Sequence, residues 1–316
     1  MSTPAVDIVV VSFNTAALLR ACLDSVAAHA PGARVIVVDN ASGDGSAALV
    51  REAHPRAMCL ALEENIGFGA ANNRGIAAGD APYVLCLNSD AALTPGALER
   101  LVGCLETRLD AVIAGPRLAY PDGRFQPSCR RFPTLARNFW CYSGLQGRLP
   151  GRVPALENWL DEAAHARAGA VDMVSGACFL MRRTWIESLG GFDENLFLYE
   201  EETDISLPAR RRGHEVYYCP EALVYHHGGA SVDAGALSAF SMRHLFRSKY
   251  VCFRKHHGAL YAALTHAVDV AVFGQTALRR GPSSEAAATL RIIRRAWRES
   301  HEGVAQLRAR GALFGN

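Results

Sequence analysis

A chain of 316 residues, 50% hydrophobic and 20% charged, is long enough for one large domain or two small ones and has the make-up of an ordinary soluble α/β protein. The formal net charge of +2 hides an asymmetry: residues 1–240 sum to about −7 and residues 241–316 to about +9, which points to an anionic surface near the tail, membrane phospholipid ahead of nucleic acid. Nine cysteines without a CxxC pair argue against zinc and fit buried free thiols in a reducing cytosol; MSTPAVD lacks a basic n-region, so no signal peptide is expected.

Ile8–Val11 is a short β-branched run, read as a buried strand ended by Ser12-Phe13-Asn14-Thr15. Leu18–Ala28 has helical spacing, with Leu19, Cys22, Leu23 and Val26 on one face. Val35–Val38, Met58–Leu62 and Tyr83–Leu87 read as further strands, the first ended by Asp39-Asn40 and the last by Asn88-Ser89-Asp90. Ser42 and Asp44 suit a helix cap, residues 65–79 a turn entering a helix, and Pro95 the first turn of a helix over 95–107. Strands alternating with helices imply right-handed crossovers and a mostly parallel sheet. Ligands of such sheets bind at the carboxyl ends of the strands, where Ser12, Asn14, Asp39, Asn40, Asn88 and Asp90 all fall. That placement points to a nucleotide site.

Residues 116–170, rich in Pro, Gly and Arg, read as an irregular loop region over that site. Strand character returns over Val171–Met181. Asp204 reads as the cap of a helix ended by Gly213, and Glu215–Cys219 and Ala222–Tyr225 as two short strands. The expected division is a domain over 1–239 and a basic helical C-terminal extension over 240–316. Residues 258–278 are apolar enough to suggest a membrane span, but a central Asp269 costs ~2.5–3.5 kcal/mol on insertion scales, and Thr265, Asp269 and Thr276 share a face. The segment is read as an amphipathic helix, packed on the domain or lying at a membrane surface. There Arg279, Arg280, Arg291, Arg294, Arg295 and Arg298 would meet lipid headgroups.

Two clusters suggest chemistry. Glu200, Glu201, Glu202 and Asp204 follow the apolar run Leu196–Tyr199, and acids beside apolar residues are costly unless something cationic or reactive uses them. A solvated helix N-terminus also accounts for such acids, with Glu202 left available as a general base. Asp90 at a strand end can hold Mg2+ or Mn2+ against a diphosphate, or merely turn the chain. Asp39 can accept from a ribose hydroxyl or a base N–H, or cap a helix. His226, beside His227, can complete a metal site or be structural. The GxGxxN within Asn65–Gly75 is misplaced for a dinucleotide loop, which follows the first strand. That disfavours a dehydrogenase, and the missing Arg/Lys-bearing glycine loop disfavours a nucleotidyltransferase.

Taken in order, VDIVVVSFNT, VIVVDNASGDGS, ENIGFGAANNRG, YVLCLNSD, PDGRFQPSCRRFPT, GACFLMRRTWIESLGGFDE, YEEETDIS and EALVYHHGG resemble the family 2 inverting glycosyltransferases of GT-A fold, in their bacterial rhamnosyltransferase-like branch. The resemblance implies an α/β GT-A fold of the nucleotide-diphospho-sugar transferase type. It implies a dTDP-rhamnose or UDP-sugar donor and a saccharide or lipid-linked acceptor, in cell-surface polysaccharide biosynthesis. The protein is expected in the cytoplasm, peripheral on the inner face of the cell membrane. Ser12, Asn14, Asp39, Asn65, Gly69, Asn73, Asn88 and Asp90 would form the donor site and Glu202 would be the base. Asp90 and His226 would ligate Mg2+ or Mn2+, and Glu201, Gly176 and Trp185 would face the acceptor. Asn88 stands where the family has the first acid of its DxD motif, and Pro208 where members often carry Arg, for which Arg210 could substitute. These departures keep open a non-catalytic nucleotide-sugar-binding protein on the same fold.

Overall fold

The structure, a computed structural model, describes residues 5–158, 161–228 and 238–314. β1 (Val6–Ser12) leads to α1 (Ala16–His29), β2 (Arg34–Asp39) to α2 (Ser46–Ala53), and β3 (Met58–Ala61) to α3 (Phe68–Ala77). β4 (Tyr83–Asn88) passes through β5 (Ala91–Leu93) to α4 (Ala97–Thr107). α1 buries Leu19, Cys22, Leu23 and Val26, the face its 3.6-residue spacing predicts. β6 (Ala111–Ala119) is followed by β7 (Phe125–Gln126), β8 (Cys129–Arg130), α5 (Leu135–Tyr142) and α6 (Leu145–Arg148). Residues 116–170 therefore carry short elements of their own rather than one irregular loop. Then come β9 (Gly169–Val171), β10 (Met173–Val174), β11 (Cys178–Arg182), α7 (Arg183–Ser188), α8 (Glu201–Arg211) and β12 (Glu215–His226). The chain ends in α9 (Ala239–His257), α10 (Ala259–Arg280), α11 (Glu285–Glu299) and α12 (Val304–Ala309).

Two compact units form: Met1–Arg130, Trp159–Asp193 and Ile205–Ser231 make one, and Arg131–Asn158, Glu194–Asp204 and Val232–Asn316 the other. In the first, a mixed sheet runs β3-β2-β1-β4-β11-β6-β12-β5, with β7 on β6 and β9 on β12. β1 to β4 pair in parallel, as crossover helices require. Alternate residues of β1 enter different cores, Ile8 and Val10 on one face and Val9 on the other. β11 enters antiparallel to β4, with Cys178 opposite Leu87 and Arg182 opposite Tyr83. It thus starts at the carboxyl edge of the parallel strands and ends at the opposite edge. β12 is one strand rather than two: its register on β6 shifts between Cys219 and Leu223, a bulge around Pro220, which has no N–H to donate. Cys104 and Cys219 are joined as a disulfide, against the expectation of free thiols; 115 residues separate them, so the pairing has no local signature. Cys22, Cys86, Cys129 and Cys178 are buried thiols whose pKa values burial pushes up.

In the second unit, Phe246, Tyr250, Ile293 and Ala296 form one apolar cluster, and Phe197, Val304, Leu307 and Leu313 another. The guanidinium of the fully buried Arg247 donates to the carbonyls of Asn195, Glu299 and Glu302, fastening the 194–204 segment to the helices. The polar residues expected on one face of α10 point inward: Thr265 and Asp269 are buried. No described helix is long and apolar enough to cross a membrane.

Candidate functional site

In the first unit the loops after β1 and β2 are locked together. Asn14, in the left-handed region at φ 55°, donates its N–H to Ser42 Oγ and accepts from Gly43 N at Oδ1. Asp44 accepts from Ala16 N at the start of α1 as well as from Ser46, so it serves two helices rather than one. Asn40 donates to Asn65 Oδ1 (2.9 Å) and accepts from Ile66 N, while Asn65 also takes Gly67 N. These polar groups prebuild a rigid rim. Within it Asp39 is 3% exposed, and its Oδ1 has no hydrogen-bond partner among the described residues. A buried carboxylate oxygen without a donor is a place where a ligand N–H or O–H is stabilising.

At the same edge the register of β5 on β12 sets His226 opposite Ala91 and so brings Asp90 to His226. His226 Nε2 lies 3.2 Å from Asp90 Oδ1, and the two side chains are 13% and 10% exposed. His226 Nδ1 is 3.0 Å from Gln126 Oε1, and His227 N donates to the Asp90 carbonyl. Burial raises the Asp90 pKa, but the hydrogen bond and charge of His226, with His227 adding, take it below the ordinary value. A carboxylate and an imidazole nitrogen this close are the donors a divalent cation uses, and Gln126 fixing Nδ1 leaves Nε2 for the ion. The residues present fit the metal that the resemblance implies. Gln126 has no local signal of this role; only the long-range pairing reveals it.

The other expected donor and acceptor residues divide. Asn88 and Gly176 lie at this edge, Asn88 N donating to Ala177 O. Gly69 is buried in the first turn of α3. Ser12 is fully buried, its hydroxyl 3.0 Å from Thr15 Oγ1, which in turn meets Ser89 Oγ at 2.8 Å; it ties the ends of β1 and β4 and has no surface to offer a nucleotide. Asn73 spends both amide atoms on the backbone of Phe192, holding the turn after α7. Trp185 is 4% exposed, edge-on to His214, and follows the end of β11 that lies opposite the start of β4. It belongs to the core at the far edge of the sheet, so its expected acceptor role is corrected.

In the second unit the acidic turn is buried, with Glu200, Glu201 and Asp204 at 8%, 3% and 5% exposure. α8 begins at Glu201 and Asp204 N bonds the Glu200 carbonyl at 2.9 Å, so Asp204 is a first-turn residue and not the cap. Its carboxylate instead takes Lys255 Nζ (2.8 Å) and His256 Nε2 (2.7 Å), both from α9. With Cys252 these groups gather three potential ligand atoms within 4.8 Å of one another, but the Lys255 ammonium already compensates the carboxylate, and the cluster is an ion-pair clamp. Tyr199 and Glu200 are consecutive non-glycine residues at φ 72° and 71°, a conformation costing of order 1–3 kcal/mol each. The clamp on Asp204 and the hydrogen bond from Ser248 Oγ to the Leu198 carbonyl hold it. Burial pushes the Glu201 carboxyl well above its usual range, with repulsion from Glu202, Glu200 and Asp204 adding.

Residues 7–190 match the family described as Glycosyl transferase family 2. Over 240 residues, 72% of this chain and 77% of the relative, the sequence is 30% identical to the N-acetylglucosaminyl-diphospho-decaprenol L-rhamnosyltransferase of Mycobacterium tuberculosis. Among solved structures the chain resembles the mannosyltransferase PcManGT of Pyrobaculum calidifontis in complex with GDP-Man and Mn2+, with TM-score 0.55 and 18% identity, over 99% of this chain and 80% of that one. It also resembles S. aureus TarS 1-349 in complex with UDP-GlcNAc, with TM-score 0.57 and 15% identity, over 98% and 88% of the two chains. At these identities the likeness speaks for the fold, which is GT-A.

Proposed function

This chain belongs to glycosyl transferase family 2, and we propose that it is an inverting enzyme moving a sugar from a nucleoside diphosphate, dTDP-rhamnose or a UDP-sugar, to a hydroxyl of a lipid-linked glycan. The observation that carries this reading is the meeting of Asp90 and His226 at the carboxyl edge of the sheet, on the edge where Asp39 keeps a buried, donorless oxygen. The rhamnosyltransferase named above favours a rhamnose donor and a diphosphate-linked lipid acceptor. In this reading Asp39 accepts from the nucleoside and the Asn14–Asp44 rim shapes its pocket. Asp90 and His226 would hold Mg2+ or Mn2+, which when bound offsets the charge of the diphosphate leaving group. Glu202 takes the proton of the acceptor hydroxyl as its oxygen bonds to the anomeric carbon and the bond from that carbon to the diphosphate breaks. One displacement inverts the centre, and no covalent enzyme intermediate is needed.

The test is nucleotide release from dTDP-rhamnose and UDP-GlcNAc with a prenyl-diphosphate-linked GlcNAc acceptor and Mn2+. Transfer that stops with EDTA and with Asp90→Ala supports the reading. Donor binding without transfer to any acceptor would favour the non-catalytic alternative, and transfer undiminished by EDTA would remove the metal.

A further inference from the structure

α10 carries apolar residues on both its inner and its outer side. Its buried side carries Ala262, Thr265, Asp269 and Val272, and Asp269, fully buried, accepts from Lys249 Nζ (2.6 Å) and Tyr250 Oη (2.7 Å). Its outer side carries Leu260, Leu264, Ala267, Ala271, Gln275 and Leu278, all exposed; Leu260 and Leu278 are 74% and 88% exposed. The 3–4-residue spacing aligns them in a stripe of about 27 Å, leucines towards its two ends and small alanines at its middle. Val270 and Phe273 pack on the Phe246–Ile293 cluster, so α10 already has an inward apolar side; a helix that only packs on its own domain keeps its outer face polar, and the leucines on this one suit a second apolar phase there.

The surrounding charge says which phase. Arg279 and Arg280 close α10, and Arg291, Arg294 and Arg298 recur along one exposed face of α11. That face adjoins α10, because His266 stacks on Trp297 at 4.6 Å and Arg294 acts on the His266 ring. Arg295, expected among the headgroup contacts, is committed to Glu299 instead. Among the described residues from 259 to 300 the exposed acid is Glu285, since Asp269 and Glu299 are buried on basic partners. A second copy of the chain would set arginines against arginines. An anionic leaflet offers hydrocarbon for the leucines and phosphate for the arginines.

We propose that α10 lies in the interface of an anionic phospholipid bilayer, the Leu260–Leu278 stripe in the acyl boundary and the arginines of α10 and α11 at the phosphates. The inference goes beyond the catalytic reading and does not depend on the donor or acceptor. The probe is sedimentation of the full chain with vesicles of phosphatidylglycerol and phosphatidylcholine, compared with phosphatidylcholine alone. Wild type is expected to bind the anionic vesicles and to be released by salt. Leu260→Gln/Leu264→Gln/Leu278→Gln is expected to lose about a hundredfold in partitioning, and Arg279→Ala/Arg280→Ala to weaken binding and lower its salt dependence, with Arg291, Arg294 and Arg298 keeping the rest. The substituted leucines are solvent-exposed, so circular dichroism and melting should match wild type. Vesicle binding unchanged in the leucine variant, or wild type that ignores vesicles but self-associates through this stripe in sedimentation velocity, would overturn the proposal; the latter would assign the face to a second copy.

Discussion

Replacing Gln126 by Leu removes one hydrogen bond and little volume. In the protein Gln126 Oε1 lies 3.0 Å from His226 Nδ1, and the His226 side chain is 13% exposed, so water substitutes poorly for the lost acceptor. The bond fixes the tautomer that leaves Nε2 directed at Asp90. Partners of this kind are worth 10- to 100-fold in metal affinity, or about 1.4–2.8 kcal/mol. Mn2+ titration of Gln126→Leu by calorimetry, without donor, should therefore show Kd raised by about one to two decades. kcat at saturating Mn2+ should largely recover, because Gln126 is a positioning residue and touches no reacting atom in this scheme. In a His226→Ala background the same substitution should add nothing. An unchanged Mn2+ affinity, or an equal further loss in the His226→Ala background, would refute the argument that Gln126 acts through His226.

Glu202→Gln should lower kcat by roughly two to four decades while the donor Kd, read by calorimetry, stays within error; an equal loss of donor affinity would make Glu202 a binding residue. Glu201 has a folded pKa raised above its unfolded value, so its contribution to stability is full below the unfolded pKa and is lost as pH rises toward the folded one. Melting across pH should show that decline in wild type and its absence in Glu201→Gln; an identical pH profile for both would contradict it. Asp269→Asn should strand the buried Lys249 ammonium and cost ~3–5 kcal/mol, a fall of roughly 10 °C in Tm, whereas Lys249→Met/Asp269→Leu/Tyr250→Phe, which also removes the hydroxyl that donates to Asp269, should return near wild type. A triple variant as unstable as the single one would mean the polar cluster itself supplies the stability.

Local pattern is enough wherever neighbours in sequence do the work. Val35–Val38 and Tyr83–Leu87 are apolar on both faces, so they read as buried strands, and the polar residues ending them fall at the carboxyl edge. Asp44 is legible as a cap because caps bond within a few residues, although its second bond, to Ala16 N, is not. Trp185 is misplaced by sequence because its position depends on β11 running antiparallel, which no local residue declares. Asp204 resembles a cap because acids favour helix starts; its partners lie 51 and 52 residues downstream.

The sequence by itself determined the alternation of strand and helix, the edge at which a ligand is expected, and the identity of Asp39, Asp90, Glu202 and His226 as candidates, because apolar period and chain punctuation are local quantities. Only the tertiary structure decided that His226 reaches Asp90 through the β5–β12 register and that Ser12 and Asn73 serve the scaffold. It also decided which side of α10 faces outward. A hydrophobic stripe and a polar stripe on one helix are symmetric in sequence; the buried Lys249 opposite Asp269 breaks that symmetry, and it comes from another helix.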